Sequence, residues 1–119
     1  FIAELSANLE KINRLLYSGE KNLDGVSSML ISRNGYIYAV GSQKEKGFYR
    51  GVLLRAGEDL RSLKRIYELK GNGDIYFYSI GAFKNGALFL AGMTSASDLP
   101  GALNSYQGGC DGFLLKLFH

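Results

Sequence analysis

Tryptophan is absent from this sequence, and proline, cysteine and histidine occur once each, as Pro100, Cys110 and His119. The lone cysteine excludes a disulfide within the 119 residues and any metal site built on paired cysteines. The lone histidine is the last residue, so a Ser/His/Asp triad has no anchored base to use. No catalytic role is therefore expected for Cys110 or His119, and no enzymatic activity or cofactor for the chain. No apolar run approaches the ~20 residues that a membrane-crossing helix needs, so no membrane span is expected. Charge of one sign is not concentrated either. The net charge of +3 comes from basic residues spread along the chain. The densest group, Arg61, Lys64 and Arg65, is interleaved with Glu58, Asp59 and Glu68. A nucleic-acid reader shows a basic stripe instead, so no nucleic-acid partner is expected.

What the chain does have is glycine, sixteen against a single proline, and short apolar runs between the glycines. The runs "MLI", "YIYAV", "VLL", "IYFYSI", "ALFLA" and "FLL" are rich in aromatic and branched residues and bounded by polar turns, the pattern of strands. They are continuous rather than alternating, so both faces of their sheets should be covered. Only "SRNG" separates Ile31 from Tyr36, and only "KNG" separates Phe83 from Ala87. Such spacers allow a hairpin and forbid a helical crossover. Antiparallel sheets covered on both faces must stack on other sheets. The class is therefore all-β. Strands are predicted near 25–32, 35–41, 49–56, 75–82, 86–92 and 112–118.

The sequence also repeats. The run from Asn34 to Gly41 matches the run from Asn85 to Gly92, and the run from Phe1 to Leu5 matches Val52 to Ala56, both at a displacement of 51 residues. The second run returns at Phe113 to Leu117 after 61 residues, so the later copy contains an insertion, "SDLPGALNSYQGG". Glu4, Arg55 and Lys116 share one repeat position. The repeats run over about 1–51 and 52–112, with a further one starting at 113–119. Periods of this size mark stacked repeats such as propeller blades. The expected architecture is about two four-stranded antiparallel β-propeller blades.

Two segments pull the other way. Leu5, Leu9, Ile12 and Leu16, and again Leu60, Leu63 and Tyr67, have helical spacing. Each segment also reads as a polar turn followed by a strand, near 12–18 and 63–69. Their common place in the repeat favours turn and outer strand.

Asn85-Gly86, Gly92, Thr94-Ser95, Ser97-Asp98, Pro100, Tyr106-Gln107, Gly108-Gly109, Asp111, Phe113 and Lys116-Leu117 follow one another over some 33 residues. In that order they resemble the bacterial and archaeal β-propeller repeats called SBBP repeats. The first repeat lacks the Ser-Asp-x-Pro loop and the aspartate before the strand. The resemblance implies four-stranded blades and a large secreted or cell-surface protein, and it implies no enzymatic activity. Gly108-Gly109 should turn the chain out of the inserted loop, with Asp111 tying that turn to backbone amides.

The candidate recognition residues are Ser95, Ser97, Asp98, Asn104, Tyr106 and Gln107, polar groups on a loop of a rigid scaffold. Asp98 and Asp111 alone make a weak metal pair, and Gly71-Asn72-Gly73-Asp74 reads as a turn rather than a phosphate loop. Two functions stay open. One is a structural, protein-binding scaffold that is part of a larger protein. The other is a lectin-like subunit that binds carbohydrate between blades and is completed by oligomerisation. A lectin should repeat its ligand groups in both blades, and the inserted loop occurs in only one. Further blades, from a longer parent chain or from identical copies, are expected as partners, because two blades cannot close a ring of typically about four to eight.

Overall fold

A computed structural model describes residues 2–16 and 23–118. Nine strands form three antiparallel sheets, with no helix among the described residues. Strands β1 (Ile2–Leu5) and β2 (Ile12–Leu16) pair as a two-stranded sheet. Strands β3 (Leu23–Ile31), β4 (Ile37–Glu45), β5 (Phe48–Ala56) and β6 (Leu63–Leu69) form a four-stranded meander in chain order. Strands β7 (Ile75–Ala82), β8 (Leu88–Thr94) and β9 (Asp111–Leu117) form a three-stranded one. Among the described residues no sheet closes on itself. The outer-strand reading holds at β2 and β6, and positions 17 and 18 of the first expected outer strand lie outside the described residues.

The 51-residue repeat recurs in atomic detail. Ser32 N–H donates to Tyr36 O and Gly35 N–H to Ser32 O, closing the β3–β4 turn. Phe83, Ala87 and Gly86 make the same two bonds between β7 and β8. Gly35 and Gly86 have φ of 85° and 86°, a conformation that glycine adopts without a side-chain clash. The register of β3 on β4 slips between Val26 and Ser28, and that of β7 on β8 between Phe77 and Ser79. Leu9 and Leu60 both take positive φ in the turns that lead to β2 and β6.

The sheets stack face on face around two cores. Ile2 of β1 packs on Ile37, Ala39, Leu54 and Ala56 from one face of the four-stranded sheet. The opposite face, with Tyr38, Val40 and Leu53, packs on Ile75, Phe77, Leu88 and Leu90 of the three-stranded sheet. The four-stranded sheet (sheet two, the three-stranded one being sheet three) is thus covered on both sides at β4 and β5, which explains the continuous apolar runs of those two strands. At Gly51 a Cβ would stand 2.7 Å from the Phe77 ring, so glycine there makes room for a fully buried aromatic side chain.

The expectation that the apolar runs are covered on both faces needs correction at β3, β7 and β9. Met29 and Ile31 of β3 and Tyr78 of β7 are exposed, because these strands have a neighbouring sheet on one face only. The run from Phe113 to Leu117 is covered on one face only. Phe113, Leu115 and Leu117 pack into the core, whereas Leu114 is 71% exposed.

Candidate functional site

The inserted loop begins where β8 ends, and its first residues are zipped to the linker between β6 and β7. Thr94, buried, donates its hydroxyl to Asp74 O and accepts Ala96 N–H, each at 2.9 Å. Ser95 N–H donates to Asp74 O, and Ser95 Oγ accepts Asp74 N–H, again at 2.9 Å. Asn72 N–H donates to Asp98 Oδ1 at 2.8 Å. The Asn72 amide donates to Ser97 Oγ and accepts Ser97 N–H. The Asp74 carboxylate accepts Tyr49 N–H from β5, extending the network into the neighbouring sheet. Gly71 and Gly73 permit this approach, since a Cβ would stand 2.6 Å from Asp98 Oδ1 and 2.7 Å from the Ser95 backbone respectively.

The six candidate residues therefore divide by task. Ser95, Ser97 and Asp98 bind the linker. Tyr106 donates its hydroxyl to Gly109 O, and Gln107 N–H donates to Asp111 Oδ2 at 2.6 Å, which is the tie expected of Asp111. Asn104 is exposed and makes no hydrogen bond among the described residues. Ser97, Asn104, Tyr106 and Gln107 come together around a cavity of about 200 Å³ under the loop. Ser95 and Asp98 do not line it. Most of the polar groups that made the loop a recognition candidate already serve to hold it in place. Sequence reasoning missed Asn72 and Asp74, reading them only as a turn. Their partners lie twenty or more residues away, and no local signal announces them.

Cys110 is exposed, and His119 lies outside the described residues. No group of three or more His, Cys, Asp or Glu side chains that could hold a metal occurs among the described residues. Asp98 and Asp111 each accept a backbone N–H instead. Across β5 and β6, Glu68 accepts from Arg50 at 2.9 Å and Arg65 at 3.1 Å. The Arg50 hydrogen bond, with Arg65 adding to it, holds the Glu68 carboxyl below the usual range against a partial desolvation.

A second concavity opens at the other end of the strands. It lies between the β3–β4 and β7–β8 turns and has a volume of about 470 Å³. Tyr38 and Leu88 line it with Tyr36, Phe83, Arg33 and Lys84. The sequence held a signal for it that went unread: a cation followed by Asn-Gly occurs at Arg33 and again 51 residues later at Lys84.

No helix among the described residues is long and apolar enough to cross a membrane, which says nothing of β-barrels. No family model, curated protein or solved structure matches the chain.

Proposed function

We propose that the chain is a run of SBBP-type β-propeller blades, a non-enzymatic scaffold of an extracellular or cell-surface protein. Its sheets stack on further sheets of the same kind, and its loops meet protein partners. The observation that supports this reading is a repeated face with no cover. Tyr38, Val40, Gly51 and Leu53 of sheet two are buried against sheet three. Their repeat equivalents in sheet three are Phe89, Ala91, Gly112 and Leu114, and these face away from the core. Leu53 is 1% exposed and Leu114 71%. Gly51 receives the Phe77 ring, whereas a Cβ at Gly112 would meet only Gly92 O at 3.9 Å. The slot for an incoming aromatic side chain is therefore present and open. A stacked repeat without a polar capping face is completed by another repeat.

Sedimentation equilibrium of the 119-residue chain and of Leu114→Glu tests the reading. The parent chain should self-associate at micromolar concentration, and the charge at position 114 should reverse this. A stable, cooperatively folded monomer of the parent chain would overturn the scaffold reading.

A further inference from the structure

We propose that the groove between the two Asn-Gly turns binds an acidic saccharide, with uronate carboxylates held by Arg33 and Lys84. The groove lies between two sheets that the chain itself contains, so this inference stands apart from the docking of further sheets. Its ligand groups recur in neighbouring repeats, as a carbohydrate site between repeated sheets requires. Arg33-Asn34-Gly35 on one lip matches Lys84-Asn85-Gly86 on the other at the 51-residue displacement. Arg33 and Lys84 are exposed and make no ion pair among the described residues. No carboxylate lines the groove among the described residues. Glu58 is nearby, lying against Gly35, without being part of the lining.

The amides are already oriented. Asn34 Oδ1 accepts Tyr36 N–H at 3.4 Å, and Asn85 Oδ1 accepts Ala87 N–H at 3.1 Å. Each oxygen is fixed in its turn, and each Nδ2 remains a donor suited to a hydroxyl. Phe83 is 62% exposed and Tyr36 38%, so ring surface borders the same space. Further cations lie against this aromatic cluster. Arg55 sits 4.6 Å over Tyr36, and Lys116 lies 5.5 Å over Phe89, which packs at 4.6 Å on Phe83. Aromatic and apolar walls with a few polar groups are the usual make-up of a small-ligand site.

The backbone argues against a peptide that adds as a strand. That mode of peptide recognition needs free main-chain groups at a sheet edge. Here the turn amides of Ser32, Gly35, Phe83 and Gly86 are bonded within their own turns. Recognition is left to side-chain amides, cations and rings. That set fits hydroxyls, carboxylates and the C–H face of a sugar.

Isothermal titration calorimetry of the 119-residue chain with hexagalacturonate tests the proposal, with neutral galactohexaose and a hexaglutamate peptide as competitors. Hexagalacturonate should bind, more weakly as salt rises, and at least about tenfold more tightly than either competitor. Arg33→Ala and Lys84→Ala should each weaken it about tenfold with an unchanged thermal midpoint. Phe83→Leu, which keeps apolar bulk and removes the ring, should weaken it as well. Silence with hexagalacturonate at millimolar concentration would overturn the proposal. So would equal or tighter binding of galactohexaose or hexaglutamate, or full binding by both charge variants.

Discussion

At the scale of single residues, the repeat is held in place by what its glycines lack. A Cβ at Gly41 would stand 2.1 Å from Gly25 O, and one at Gly92 would stand 1.8 Å from Tyr76 O. Both sit opposite the places where the register slips, so the bulged strand's carbonyl presses toward the partner backbone. The sequence shows these glycines 51 residues apart, but it does not show that they face a carbonyl. That fact depends on the bulge, and a bulge leaves little trace in composition. Gly92→Ala should lower stability by about 3 kcal/mol, the upper end of the usual overpacking range. Gly81→Ala is the control, because a Cβ there meets nothing within 4 Å and its φ is not positive. It should be neutral or slightly stabilising, since alanine narrows the unfolded ensemble. Urea midpoints of the two variants make the comparison, and equal losses would show that the close approach at Gly92 is not the cause.

Among the elements, the inner strands were legible because glycine and Asn-Gly turns frame apolar runs of strand length. The outer strands were harder, and β6 shows why. Leu53 pairs with Tyr67 and Leu54 with Arg65, so Ile66 is an extra residue in the ladder. Just before the strand, Leu60 is buried from a turn at φ 51°. A turn leucine and a bulge together place apolar residues at helical intervals without a helix. The inserted loop was legible as a loop, but its function of clamping the linker was not, because Asn72 and Asp74 are distant in sequence. That clamp is measurable at Thr94. Thr94→Val removes the acceptor for Ala96 N–H, and Ala96 is 2% exposed, so the amide is left without its partner. The expected loss is about 1–3 kcal/mol, with Thr94→Ser retaining most of the stability. Hydrogen exchange at the Ala96 amide should speed up in the valine variant and stay slow in the serine variant.

For the whole molecule, the 51-residue period is legible in the sequence independently of any strand, and it carries more information than the strands do. It did not display where the cover stops. "FLLKL" reads as buried on both faces because it copies a run that is buried on both faces in sheet two; in sheet three one of those faces is open. If that face is a docking face, stability should grow with repeat number, since each added sheet contributes its own stability and one more interface. A tandem chain in which a second copy of residues 52–112 is inserted after residue 112 keeps the repeat in phase, because position 113 is the equivalent of position 52. The insert completes the strand begun at Asp111 with its own copy of residues 52–56, and supplies a strand like β6 beside it and a sheet like β7–β9 in front of it. Its equivalent of Phe77 would then meet the open position at Gly112. The inserted copy of Leu53, which takes the place of Leu114 in that strand, would be buried as Leu53 is, while Leu114 itself moves to the new terminal sheet. Fully burying a leucine contributes about 1.5–3 kcal/mol, and Phe89 and Ala91 lie on the same face. The tandem chain should unfold in one transition at a higher temperature than the parent, with a larger denaturant slope. Its tendency to self-associate should not fall, because the new end presents the same face again. Two separate transitions, or an unchanged first midpoint, would mean that the open face of sheet three does not accept another sheet.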